Sequence, residues 1–290
     1  MGWRTIVISR IAKLDYQMGY LVIRGKETEK VHISEISNLI IESTAVSMTA
    51  YLLNELVNQK VNVLFCDDKR NPSFQLHSLY GSHDTSQKLR EQVLWSKELK
   101  ASVWTVIVTE KIRKQKELLE KQGKKESLML DGYIDEIEFG DETNREGHAA
   151  KVYFNALFGK QFVRSDDTPI NAALNYGYSI LLSICNREIV SNGYLTQFGL
   201  FHDNMFNQYN LGSDLMEPFR PLVDELVLKI SPDKFEIEEK RDILTILDKG
   251  VGINGREELV PNALKVYVKS VFDALNASDI SLIRFYKNEL

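Results

Sequence analysis

Tyr80-Gly-Ser-His-Asp-Thr-Ser86 separates two kinds of hydrophobic pattern, and the fold class follows from what lies on either side of it. Before this polar run the chain reads as short strands: Arg4-Thr-Ile-Val-Ile-Ser, Ile11-Ala-Lys-Leu-Asp-Tyr, Tyr20-Leu-Val-Ile-Arg, Lys30-Val-His-Ile-Ser and Leu39-Ile-Ile-Glu. Gln17-Met18-Gly19 supplies a hairpin turn between the second and third. Ser47 is read as an N-cap, after which Met48, Leu52 and Leu56 recur four apart on one helical face; Val61-Asn-Val-Leu-Phe-Cys then returns as a strand.

After the polar run the period becomes helical. Leu89, Val93, Val103 and Ile107 fall on one side of a long predicted helix. Asn144 caps another that runs through Phe158 and stops at Gly159. Thr168 caps a longer one, with Pro169 at the first helical position, where its missing N–H costs nothing, and it continues to about Ser191. Further helices are predicted over 214–229, 238–248 and 261–276. The expected architecture is a segregated α+β fold: a small β-rich N-terminal domain, residues 1–84, followed by an all-helical C-terminal domain, residues 85–290.

Composition excludes several classes. Charged residues make up 27% of the chain and hydrophobic ones 43%, which fits a globular protein and not a disordered or low-complexity one. Neither a secretory leader nor a bilayer-length apolar run is read, so no membrane partner is expected. Cys66 and Cys185 are the two cysteines; their separation fits a reducing cytoplasm and excludes a zinc ribbon or disulfide scaffold. The formal charge of −5 argues against wholesale coating of nucleic acid but not against a local basic face. Lys111, Arg113, Lys114, Lys116, Lys121, Lys124 and Lys125 crowd one stretch, interspersed with Glu110, Glu117 and Glu120. That pattern reads first as a solvated helix and only weakly as a polyanion face.

The chemistry-bearing residues lie in the predicted helical half: Glu146 in Arg145-Glu-Gly-His-Ala-Ala-Lys-Val-Tyr-Phe, His202 in Gly199-Leu-Phe-His, and Asp214 with Glu217 in Asp214-Leu-Met-Glu-Pro-Phe-Arg-Pro. Singly, each has an ordinary explanation. A glutamate near a helix start complements the helix dipole, a lone histidine packs in a core, and Glu217 is answered by Arg220 three positions on. Asp214 and Glu217 stand three apart and point together from a regular helix, although Pro218 and Pro221 imply either a start near Glu217 or a kinked segment. His148 is two residues from Glu146, which is not the zinc-type spacing. If Glu146, His202 and Glu217 converge, two carboxylates and one imidazole suit Mg²⁺ or Mn²⁺, with Asp214 as an orienting group or a holder of a second ion.

Taken together and in order, these segments and Leu174-Asn-Tyr-Gly-Tyr-Ser-Ile-Leu resemble the CRISPR-associated spacer-acquisition integrase, the first-numbered Cas protein, over nearly the whole chain. The resemblance implies that Glu146, His202 and Glu217 bind the metal and that Asp214 matches an adjacent supporting acid; Glu stands at 217 where some members have Asp. It implies attack of a 3′-hydroxyl of a short foreign double-stranded DNA on a phosphodiester of a CRISPR repeat. It also implies homodimers joined through the β-rich domains and bridged by the small ferredoxin-like second-numbered Cas protein. Arg145, Lys151 and Arg220 are DNA-contact candidates by adjacency to the motifs, and the acidic stretch 131–142 and the C-terminal tail are candidates for protein contacts. The wording Asn-Tyr-Gly-Tyr and Glu-Pro-Phe-Arg-Pro is most similar to members from systems with a single large effector nuclease, which adds that nuclease and a DNA-end-binding ring protein as partners. The competing readings are a metal-dependent nuclease or resolvase of branched DNA and a non-catalytic DNA-binding scaffold.

Overall fold

The structure, a computed structural model, describes residues 2–79 and 81–288; Tyr80 of the boundary run and Glu289 and Leu290 of the C-terminal tail lie outside the described residues. Eight strands occupy the first part: β1 (Arg4–Ile8), β2 (Ala12–Gln17), β3 (Tyr20–Arg24), β4 (Thr28–His32), β5 (Ile36–Ile41), β6 (Val46–Met48), β7 (Asn62–Cys66) and β8 (Pro72–Leu76), with helix α1 (Ala50–Asn58) between β6 and β7. They form two four-stranded sheets, ordered β4-β3-β2-β6 and β1-β5-β7-β8. The β2–β3 hairpin turns at Met18 and Gly19, both at positive φ, as the sequence predicts. The cap of α1 is Thr49 and not Ser47: the Thr49 hydroxyl accepts from Leu52 N–H at 3.2 Å, while Ser47 and Met48 are drawn into β6 by pairing with β2.

Strands β5 and β7 lie in the middle of their sheet and use both faces. Leu39, Ile41 and Val63 enter a core shared with the other sheet and α1, while the alternate residues Ile40, Leu64 and Cys66 enter the core of the helical half. The same face carries a buried polar seam. Asn62 donates to Asn38 Oδ1 at 3.1 Å and to Ser183 Oγ at 3.2 Å, and Gln75 donates to Asn62 Oδ1 at 2.5 Å and to Ser183 C=O at 2.7 Å. Buried amides are tolerated there because each finds partners, and the partners fix the register of sheet against helix.

The second part is mostly helical: α2 (Thr85–Leu94), α3 (Lys97–Lys121), α4 (Ser127–Asp135), α5 (Arg145–Phe158), α6 (Pro169–Ser191), α7 (Asn210–Met216), α8 (Arg220–Ile230), α9 (Ile237–Leu244) and α10 (Val260–Ala277). It is not purely helical, since β9 (Gly250–Ile253) and β10 (Arg256–Leu259) form an antiparallel hairpin before α10. The single long helix expected from Thr85 is broken at Trp95 and Ser96. Trp95 turns inward onto Tyr194 and Phe272, and Ser96 caps α3 by accepting from Leu99 N–H. Thr168 and Pro169 open α6 as predicted, and Asn144 caps α5. No helix among the described residues is long and apolar enough to cross a membrane.

Gly177, in the middle of Asn175-Tyr-Gly-Tyr178, sets the approach of α8 to α6: a Cβ there would sit 2.4 Å from Val223 Cγ1 and 3.2 Å from Ile243 Cγ2. Alanine would gain up to about 1 kcal/mol in helix propensity, but overpacking of this kind costs about 1–3 kcal/mol. Gly177→Ala is therefore expected to lower the thermal midpoint, and Val223→Ala in the same chain to remove most of that loss. A Gly177→Ala protein that melts higher than wild type would refute the close-packing account.

Candidate active site

Five elements bring the site together: α3, the first turn of α5, the loop 199–202, α7, and the junction from α7 to α8. The first turn of α5 is fixed twice over. Asp141, buried, accepts from the N–H groups of Arg145 at 2.7 Å and Glu146 at 3.1 Å, and Asn144 Oδ1 accepts from Gly147 N–H at 3.2 Å. Glu146 is thus held by the backbone, with its side chain 20% exposed. Between α7 and α8 the residues Glu217–Phe219 form a 3-10 turn, because Pro218 and Pro221 cannot donate in a continuous helix. Glu217 is buried in that turn, and α8 begins three residues later at Arg220.

Asp214 is fully buried and is an acceptor for the loop. Its Oδ2 accepts from Leu200 N–H at 2.6 Å and Phe201 N–H at 3.1 Å, and its Oδ1 accepts from His202 N–H at 3.2 Å and meets His202 Nδ1. These bonds occupy its lone pairs, so Asp214 acts by holding His202 and leaves Nε2 as the ring nitrogen for other work. The hydrogen bond to Asp214 raises the His202 pKa; burial opposes it, and the charges of Asp214, Glu217 and Glu146 reinforce it. Gly199 permits the turn: a Cβ would lie 2.2 Å from His202 C=O and 2.8 Å from Asp214 Oδ2. Phe201 stacks on buried Trp104 of α3 with ring centres 4.6 Å apart, and the His202 ring stands edge-on to the same indole.

Lys111 of α3 completes the site, and sequence reasoning did not single it out. Its side chain is 6% exposed, and its ammonium ion-pairs with both Glu146 Oε1 and Glu217 Oε2. Burial alone would push this ammonium down, but Glu217 and Glu146 outweigh it and hold it above the ordinary lysine value. Glu217 mirrors this: burial would raise it, and Arg220 and Lys111 hold it below the carboxylate range. Arg220 lies 3.0 Å from Glu217 Oε1 and over the Tyr178 ring at 4.7 Å. The signal for Lys111 was present in the sequence, since it stands in phase with Trp104, Ile107 and Leu118 on the buried stripe of α3, where a lysine needs an internal partner. The basic stretch of α3 is accordingly neither a polyanion face nor a solvated helix throughout, because Glu110, Lys111 and Lys114 are buried.

Of the other sequence candidates, Arg145 pairs with Glu136 at 3.1 Å, and Lys151 is exposed on α5. In the acidic stretch, Asp131 pairs with Lys116 and Asp141 caps α5. Among the described residues no three His, Cys, Asp or Glu side chains stand ready to hold a metal ion, and the Lys111 ammonium lies between the two glutamates. The donor types nonetheless fit a hard divalent ion: two carboxylates and an imidazole nitrogen.

Behind the site, Tyr153 of α5 and Tyr178 of α6 both donate to Asp224 of α8, the first at 2.8 Å. Burial raises the Asp224 pKa to about 6, with the two hydroxyls opposing. A carboxyl raised on folding favours the fold below its unfolded value near 3.8, and that contribution is lost as pH rises through about 6. Relative to Asp224→Asn, wild type should therefore lose up to roughly 3 kcal/mol of stability between pH 4 and 7, at about 1.36 kcal/mol per unit. Parallel stability–pH curves for the two proteins from denaturant melts would contradict this.

The chain matches the family described as CRISPR associated protein Cas1 over residues 5–248. It is 35% identical over 232 residues to the CRISPR-associated endonuclease Cas1 of Neisseria meningitidis serogroup C (strain 8013), covering 79% of this chain and 76% of that one. Its fold is similar to that of a casposase bound to integration product, with TM-score 0.77, 18% identity, and 97% of this chain and 93% of that one covered. A Cas6-RT-Cas1–Cas2 complex is similar at TM-score 0.73 and 17% identity, covering 99% of this chain, which spans 36% of that longer one. Matched along most of its length by sequence and throughout by fold, the chain belongs to the Cas1 family of CRISPR-associated proteins.

Proposed function

We propose that this chain is a metal-dependent DNA integrase and endonuclease that inserts short foreign DNA into a CRISPR repeat array during adaptation. The observation that carries the reading is that Glu146 and Glu217 share the Lys111 ammonium, within electrostatic reach of the Asp214-held His202, in a Cas1-family chain. The casposase bound to integration product and the complex containing Cas2 support, respectively, the joining reaction and a small second-numbered Cas partner.

Joining exchanges one phosphodiester for another: the incoming 3′-oxygen forms a P–O bond as the 3′-oxygen of the cut strand leaves, so no nucleotide triphosphate is needed. Glu146, His202 and Glu217 would hold Mg²⁺ or Mn²⁺, which when bound stabilises negative charge on the phosphate and lowers the pKa of an attacking hydroxyl. The remaining tasks fall to the chain itself. Asp214 sets the histidine ring, the Trp104–Phe201 stack keeps the loop from moving away, and Arg220 fixes the carboxylate of Glu217. In-line geometry then rests on a scaffold whose parts are buried and paired. Arg145, Lys151 and Arg220 are assigned to contacts with DNA. The β-rich residues 1–84 are assigned to a homodimer contact, where Ile11, Met18 and Tyr51 expose apolar surface, leaving residues 85–290 as the catalytic domain.

The test is joining of a labelled 3′-hydroxyl duplex into a supercoiled repeat-bearing plasmid, with Mn²⁺ or Mg²⁺ and the small partner present. Glu146→Ala and His202→Ala are each expected to lower joining at least 100-fold while changing DNA binding by less than about threefold, since phosphate contacts dominate affinity. Full joining by both variants would refute the site assignment. Cleavage of branched DNA without any joining would favour the resolvase reading.

A further inference from the structure

The two glutamates have cationic partners before any metal enters. Glu146 and Glu217 are answered by Lys111 and Arg220, and Asp214 is engaged with His202. Lys111 is not a surface counter-ion that water can screen. It is buried, and its amine bridges the same two carboxylates that would hold a divalent ion. A metal added to this arrangement brings two further positive charges beside a buried ammonium, and low-dielectric surroundings amplify their repulsion.

From this we infer that Lys111 is a built-in competitor for the metal site and makes tight metal binding conditional on DNA. The inference rests on the metal-dependent reading above and adds a regulation to it. Two properties of lysine make the exchange physical. Its ammonium is a compact charge on a flexible four-carbon stem, and it serves a phosphate oxygen as readily as a carboxylate. When a DNA phosphate enters, it brings negative charge and a new acceptor. The ammonium leaves Glu146 and Glu217 for the phosphate, and the carboxylates turn to the ion. Glu146 is the more exposed of the two carboxylates and gives the exchange a solvent side, while Glu217 stays anchored by Arg220. Without DNA the protein holds its carboxylates with its own cation, so a loaded metal centre is not left idle beside water.

The experiment is Mn²⁺ titration of the metal-free full-length protein, with free Mn²⁺ read by electron paramagnetic resonance, in the presence and absence of a short 3′-hydroxyl duplex. Wild type should bind Mn²⁺ at least tenfold more tightly with DNA than without. Lys111→Met should bind it at least tenfold more tightly than wild type without DNA and gain less than threefold from adding DNA. Lys111→Arg, which keeps the charge, should retain the dependence on DNA. Should Lys111→Met fold only when Mn²⁺ is added, as read by circular dichroism, the ion is replacing the ammonium and the inference stands. Equal Mn²⁺ affinity of wild type and Lys111→Met without DNA would overturn it. A different result would remove the underlying reading instead: no Mn²⁺ bound by wild type even with DNA, or binding unchanged by Glu217→Gln.

Discussion

Two carboxylates that meet in a poorly solvated site need a cation or a shared proton, and the helical half supplies the cation. Lys111 brings it from α3, and Arg220 adds a second charge at the start of α8. Because the lysine must reach both Glu146 and Glu217, α3 has to lie against both α5 and the turn before α8, and it does. The ordering of α5 by Asp141 and the 3-10 turn at Pro218 hold the backbone of those acids, and the packing of α8 on Gly177 seats the helix that follows. Removing one member of such a set costs more than the set contributes, since the charges left behind remain buried.

Asp214 solves a different problem. It is buried with four donors, three of them backbone N–H groups of the loop that ends in His202. A loop with its amides tied to one carboxylate has lost most of its freedom before any substrate arrives, and the Trp104–Phe201 stack removes more. The histidine is therefore part of a preorganised arm, and its ring orientation is set by a residue that need not touch the reacting atoms.

Local chemistry made parts of this structure legible in the sequence. Caps at Asn144 and Thr168, the proline at 169 and the Met18-Gly19 turn depend on a few neighbouring residues, so reading them requires no tertiary knowledge. The misplaced elements depend on distant partners. Ser47 is a good cap in isolation, but pairing with β2 claims it, and the break at Trp95 exists because Tyr194 and Phe272, far along the chain, receive the indole. The β9–β10 hairpin lies within a predicted helical region and is too short to announce itself. Glu146, His202 and Glu217 stood out through the order of their motifs. Lys111 did not, because a lysine among lysines carries no mark of burial until the apolar stripe of α3 is laid out around it.

The two-faced strands β5 and β7 have a mechanical meaning. A sheet that supplies side chains to two cores cannot act as a hinge, and the amide seam to Ser183 pins it midway along α6, the helix that also carries Gly177 and Tyr178. The two halves are therefore joined by packed and hydrogen-bonded contacts along α6, not by a linker alone. The same helix carries Tyr178, on which Arg220, the partner of Glu217, rests.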